Sequence, residues 1–321
     1  MNRWALELQS DGKGHEVDAA EACARRAPPP SFVWIHLDGR EQETLRWLND
    51  HGGMPTTVIY ALTATETRPR SEAIEHGALI NLRGPSLPGD QQQDRLVSIR
   101  AWVEHGRAIS VSFHPIDGLD VLRDQMIAGS IKDPGDLISH LAMIITKRVD
   151  PVIADLGDLV DDCELALAPE HAYETRRKIA EARSDAIVYR RFVAPQREAL
   201  SRLAELDAPW LEEDDRLHLR EAADRFARMA EELEAVRERS ALIHEQLTDL
   251  RSEQIENRAL LLSIVALIFL PLTFLTGLLG MNVEGIPGAH EPWAFWGVVG
   301  FCVVIAGAIT AWFSFAHWFR R

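Results

Sequence analysis

The chain has 321 residues, with 34 Lys and Arg against 49 Asp and Glu, a formal net charge of −15 and 26% charged residues. That balance excludes a basic nucleic-acid binder, and no nucleic-acid partner is expected. At 46% hydrophobic and a mean hydropathy of −0.11 the chain can build a sizeable core, yet long charge-free runs begin only after residue 258. Cys23, Cys163 and Cys302 stand far apart without CxxC or Cys/His spacing, which argues against a disulfide framework or a structural zinc knuckle. The N-terminus MNRWALELQSDGKG lacks the basic-then-apolar pattern of a signal peptide, so most of the chain is expected in the cytoplasm.

Residues 1–128 mix short β-like runs with helices, and an α/β cytoplasmic domain is expected there. FVWIHLD (32–38), ALINLRG (78–84), RLVSIRAWVEH (95–105) and RAISVSF (107–113) alternate or run apolar between turn residues. TLRWLNDHGG reads as a helix ended by Gly52, and PGDQQQD as a polar loop between strands. No phosphate-cradling glycine motif or nucleophile elbow occurs, so no enzyme is indicated. His36, His76, His105 and His114 follow no metal spacing.

Residues 129–257 are expected to be helical: one helix from Pro134, a second from about Ala172 to Leu206, and a third from about Glu212 with no breaker before Pro271. The cytoplasmic part of the third, about 45 residues or roughly 65 Å, is a stalk leading into the membrane. Asp155, Asp158, Asp161 and Asp162 share one face of the first of these helices. They are either a solvated face or a weak divalent-cation site, since clustered carboxylates suit hard cations but nothing here fixes their geometry.

Two membrane spans follow. ALLLSIVALIFLPLTFLTGLLGM (259–281) and WAFWGVVGFCVVIAGAITAWFSFA (293–316) each carry about 23 residues without a charge, enough to cross a hydrocarbon core of about 30 Å. Trp293, Trp296, Trp312 and Trp318 sit near the ends of the second like an aromatic belt. The spans are assigned to residues 258–281 and 293–318. The loop between them, 282–292, has no Lys or Arg, whereas Arg251, Arg258, Arg320 and Arg321 flank the hairpin. The positive-inside rule places both termini, including the tail 319–321, in the cytoplasm.

Within the first span Ser252, Ala259, Ala266 and Thr273 recur every seven residues, interleaved with Glu256, Ser263, Leu270 and Gly277. A seven-residue period implies a left-handed supercoil of several helices, here with small or polar residues facing one another. The stripe fits a tight dimer built on small residues, or a ring of helices around a narrow pore.

At the mouth of that span the sequence reads PLTFLTGLLGMNVEGIPG, and its triplet Gly280, Met281, Asn282 resembles the GMN signature of the CorA superfamily of divalent-cation transporters. Within that superfamily the following GIPG, with ETRPR (66–70), NLRG (81–84), VSIRAW (97–102) and APQREALSRL (194–203), is similar to the ZntB zinc-transporter branch. The resemblance covers the whole chain. It implies an α+β cytoplasmic domain, a long helical stalk and a two-helix transmembrane hairpin, assembled as a homopentameric funnel in the bacterial inner membrane. It also implies that the first span lines the pore, and no cofactor beyond a transported cation.

In that reading a ring of Asn282 amides and backbone carbonyls would hold a hydrated cation, Thr273 would form a second ring, and Leu270 an apolar constriction, with Ser263 and Ala266 lining the path below. Glu284, His290 and Glu291 would ring the outer mouth and gather cations. The expected cargo is zinc, with magnesium, cadmium, nickel or cobalt as alternatives. Three functions are open: a ZntB-like zinc transporter, a CorA-like magnesium channel, and a membrane-anchored scaffold or signalling protein that oligomerises through its stalk.

Overall fold

A computed structural model describes residues 3–24, 31–65, 68–87, 95–168, 170–281, 285–286, 288 and 291–318. The chain divides into two compact units, Met1–Glu245 and Gln246–Arg321.

The first unit is built on a seven-stranded mixed sheet: β1 (Trp4–Leu8), β2 (Gly14–Val17), β3 (Val33–Asp38), β4 (Arg70–Ile74), β5 (Gly77–Pro85), β6 (Leu96–Glu104) and β7 (Arg107–Ser112). The strands lie in the order β2-β1-β3-β7-β6-β5-β4, and only β3 and β7 pair in parallel. The four strands expected from apolar runs are β3, β5, β6 and β7, which fill the middle of the sheet. Short β1, β2 and β4 lie outside those runs, because strands such as RSEAI carry no long apolar stretch.

Alternating side chains of the sheet serve two layers. Val33, Ile35, Leu37, Ile109 and Val111 pack with α1 (Ala19–Ala24), α2 (Gln42–His51) and α3 (Thr56–Thr63). Trp34, Ala108 and Ser110 face the other way, toward Leu122 of α4 (Leu119–Ile127) and Leu137 and Leu141 of α5 (Pro134–Leu165).

Helix α5 starts where expected: the Asp133 side chain caps it by accepting from the Asp136 backbone N–H at 2.8 Å, and Pro134 occupies its first turn. Helix α6 (Ala172–Ala204) packs on α5, on β4 and on β5. Helix α7 (Glu213–Leu279) runs 67 residues without a break. In its first turn the Asp215 side chain accepts the Glu212 backbone N–H at 3.0 Å, one of the two bonds of a capping box. Asp215, Leu219, Ala222, Phe226, Met229, Leu233, Val236, Ser240 and Ile243 are buried at alternating four- and three-residue steps, the spacing of a helix seam. Arg239 bridges from α7 to Asp161 and Glu164 of α5, and Glu234 meets Arg190 of α6 at 3.0 Å, which ties the three long helices together.

The second unit holds the rest of α7 and α8 (Ala294–Trp318). Both are long and apolar enough to cross a membrane, and their apolar windows are unburied within the chain. With lipid outside, every backbone group must bond within its own helix, which accounts for the absence of any other structure in the spans.

Candidate functional site

The membrane part of α7 has two faces of different character. Ile264, Ile268, Leu272, Leu275 and Leu279 are half-buried, as are Val298, Cys302, Ile305, Ala306, Ile309 and Phe313 of α8. Each set repeats at three- and four-residue steps, so each lies along one face of its helix. Cys302 is half-buried on that face of α8.

Ser263, Ala266, Leu270, Thr273 and Gly277 are exposed. At about 100° per residue they centre roughly 180° away from the half-buried row of α7, and Leu270, on one flank, lines a hollow with Leu267, Pro271, Phe274 and Ile309 of α8. Leu270 is 75% exposed. The Ser263 hydroxyl donates back to the Ala259 carbonyl at 2.9 Å, which satisfies it in an apolar surrounding. A Cβ added at Gly277 would meet nothing within 4 Å, so this face is open at its outer end. Pro271, six residues earlier, lacks the N–H that would bond the Leu267 carbonyl.

Gly280 closes the helix, its N–H bonding the Thr276 carbonyl at 2.9 Å, and Met281 follows, half exposed. Asn282, Glu284 and His290 lie outside the described residues, as do Arg320 and Arg321. Glu291 is described and exposed. Its backbone N–H bonds the Gly288 carbonyl, and its carbonyl accepts the Ala294 N–H, both at 3.0 Å, so it sits at the entry to α8.

The structure adds residues that the sequence reading passed over. The seven-residue series of Ala259, Ala266 and Thr273 extends upstream through Ser252 to Glu245, Glu238, Glu231 and Asp224, all exposed. Four successive carboxylates thus share one helical position. The signal was the same period, followed below the membrane.

The four aspartates of α5 do not converge. Asp155, Asp158, Asp161 and Asp162 are all exposed; Arg239 bridges Asp161 to Glu164 across to α7, and the contact holds the guanidinium further above its usual range. Burial, and then the nearby Asp150 and Asp158, push the Glu232 carboxyl up, the mark of crowded negative charge. Among the described residues no group of three or more His, Cys, Asp or Glu has the geometry to hold a metal ion.

Residues 30–321 match the family described as CorA-like Mg2+ transporter protein. The zinc transport protein ZntB of Pectobacterium atrosepticum is 33% identical over 311 residues, 97% of this chain and 94% of its own. The divalent cation transporter CmaX of Pseudomonas aeruginosa is 34% identical over 321 residues, 98% and 94% of the two chains. Among solved structures, full-length CmaX matches with a TM-score of 0.77 and 30% identity, covering 96% of this chain and 97% of that one. The CorA magnesium transporter of Methanocaldococcus jannaschii matches with a TM-score of 0.80 at 18% identity, covering 98% of each chain, a likeness of fold. The chain belongs to the CorA superfamily, in the ZntB branch.

Proposed function

We propose that this chain is a divalent-cation transporter, with zinc as its main cargo, working as a homopentamer in the bacterial inner membrane with both termini in the cytoplasm. The observation that carries the reading is the exposed row Ser263, Ala266, Leu270, Thr273 and Gly277, set opposite the half-buried row of α7. A helix hairpin in lipid gains nothing from small and polar residues on an unpartnered face, whereas a ring of such helices turns that face to a shared axis. Five copies would stack Thr273 hydroxyls above a Leu270 constriction. Gly280, Met281 and Asn282 would close the outer end with backbone carbonyls and amides, groups that bind a cation through its water shell.

Below the membrane the same helical position would bring Glu245, Glu238, Glu231 and Asp224 toward the axis, giving a cation a negative path into the cytoplasm. The pore face offers no His or Cys, so zinc would pass hydrated and not be gripped by soft ligands. The names of the relatives, ZntB and CmaX, support divalent cations as the class and zinc within it.

Flux into proteoliposomes tests this, comparing zinc with magnesium, each with and without a pH gradient. Zinc uptake well above magnesium is expected. A preference for magnesium would keep the pore and change its cargo, and no flux of any divalent cation would return the scaffold reading.

A further inference from the structure

The cytoplasmic unit contains a second candidate site, unrelated to the ion path. Strands β3 and β7 run side by side in parallel, pairing Asp38 with Ser112 at their carboxyl ends. The chain leaves β3 toward α2, on the layer that holds α1 and α3. It leaves β7 toward α4, whose Leu122 packs on the opposite layer. Where two adjacent parallel strands send their connections to opposite faces, a crevice opens beyond their carboxyl ends, and open sheets bind ligands there.

A cavity of about 320 Å³ occupies that crevice, at the lower end of the range of small-molecule sites. One wall is apolar, formed by Leu87, Ile116 and Leu119; the other presents Arg40 and Arg123. Arg123 stands over the Trp4 ring, 5.3 Å from its centroid, and forms an ion pair with Glu16. Its Nε–H is buried without a hydrogen-bond partner among the described residues, an unmet donor beside a cavity. Arg40 is held in a fork by the Asp38 carboxylate, from Nε at 3.0 Å and Nη2 at 2.6 Å. Helix α4 begins at the cavity with Leu119 and Asp120, and its N-cap, Gly118, supplies no side-chain cap.

The wall behind is fixed by hydrogen bonds. His36 is buried, with Nδ1 on the Ser110 hydroxyl at 2.8 Å and Nε2 on the Ser112 hydroxyl at 3.2 Å. Asp38 and Asp120 provide acceptors for ligand hydroxyls.

We propose that this crevice binds a small organic anion, a phosphate ester or a carboxylate, with its charge on Arg123 and Arg40 and its carbon skeleton on Leu87, Ile116 and Leu119. Binding is a property of the cytoplasmic unit and does not depend on which cation the membrane unit carries.

The full-length protein in detergent, in metal-free buffer at constant ionic strength, is titrated calorimetrically with adenosine monophosphate and, separately, with glutarate. Saturable binding of one of them with a dissociation constant below about 1 mM is expected, and Arg123→Gln should weaken it about tenfold or more. The probe that binds identifies the ligand as phosphate ester or carboxylate. Arg40→Gln, in an exposed turn, gives the same reading if Arg123→Gln does not fold. No binding of either probe to the natural protein, or binding left unchanged in the variants that fold, overturns the proposal.

Discussion

Gln196 of α6 makes two hydrogen bonds to the backbone of Arg83 in β5: the Arg83 N–H donates to Oε1 at 2.7 Å, and Nε2 donates to the Arg83 carbonyl at 2.9 Å. Strand β4 pairs with β5 only over Gly77–Asn81, so at Arg83 that edge of β5 has no neighbouring strand. The side-chain amide stands in for one. Both residues are buried, and one turn earlier on α6 the Phe192 ring lies 3.9 Å from the Arg83 guanidinium carbon.

Gln196→Leu therefore leaves a backbone donor and acceptor buried and unmet. At about 1–3 kcal/mol for each orphaned group, the first unit should lose roughly 2–6 kcal/mol, read as a lower thermal midpoint of the whole protein. Gln196→Glu, which keeps an acceptor but loses the donor to the Arg83 carbonyl, should also be destabilised. An unchanged midpoint in Gln196→Leu would mean that water replaces the amide without loss.

This pair also shows what could be read in the sequence. NLRG and APQREALSRL carry part of the resemblance to the ZntB branch, and the fold brings Arg83 of the first against Gln196 of the second. Asn81 in the same motif donates at 2.7 Å to the Arg68 carbonyl of ETRPR. Arg100 of VSIRAW is buried over the Phe113 ring. These motifs hold the first unit together. Periodicity and length made the long helices and central strands legible, because those elements bury continuous apolar rows. Pairs such as Arg83 with Gln196, 113 positions apart, leave no local pattern, and the edge strands are too short and too polar to carry one.

The pH dependence of stability should show two opposed contributions. Burial, with Asp133 and Asp136 beside it, pushes the Asp215 carboxyl from 3.8 up to about 6, against hydrogen bonds from Glu212 and Ser139 that favour the anion. The folded state then holds more protons than the unfolded one between about pH 4 and 6, so this group lowers stability as pH rises through that window. His36 acts the other way. Burial holds it down from 6.5 to about 4, so its contribution is lost as pH falls through nearly the same range. Asp215→Asn should make stability climb more steeply from pH 4 to 6, by up to roughly 2 kcal/mol across the window, and His36→Gln should make it fall. Thermal midpoints of the full-length protein at half-unit pH steps measure both; profiles parallel to the natural protein's would remove the assignment.

The pore reading makes a steric prediction. Ala266→Trp and Thr273→Trp place large side chains on the exposed stripe and should cut cation flux by about tenfold or more while the oligomer persists, because the stripe would face an aqueous axis. Asn282→Ala should abolish transport with assembly intact. A scaffold that uses its stalk alone would tolerate all three, and native mass measurement of the same samples, expected to give a pentamer, separates lost flux from lost assembly.

The carboxylates at the stalk position of the pore stripe should act through their field. Glu231→Gln with Glu238→Gln and Glu245→Gln is expected to slow flux most at low ionic strength, since salt at about 0.15 M screens exposed charges beyond roughly 8 Å. These side chains are exposed and away from the buried seam, so the thermal midpoint should barely move. Flux unchanged at low salt would place this face away from the ion path.

The outer loop offers the same kind of test at the other end. Glu284, His290 and Glu291 would each occur five times around the mouth of a pentamer and raise the local cation concentration before any ion is bound. Glu291 also has a structural claim: its backbone opens α8, and a carboxylate near a helix N-terminus contributes about 0.3–1 kcal/mol through the helix dipole. The two roles separate by salt. If the loop steers cations, Glu284→Gln with Glu291→Gln loses uptake mainly at low ionic strength, and His290→Ala adds a loss for zinc but not for magnesium. Equal loss at every salt concentration would indicate a binding site at the mouth, and no loss at any, with only a lower thermal midpoint, would leave Glu291 as a helix-end residue alone.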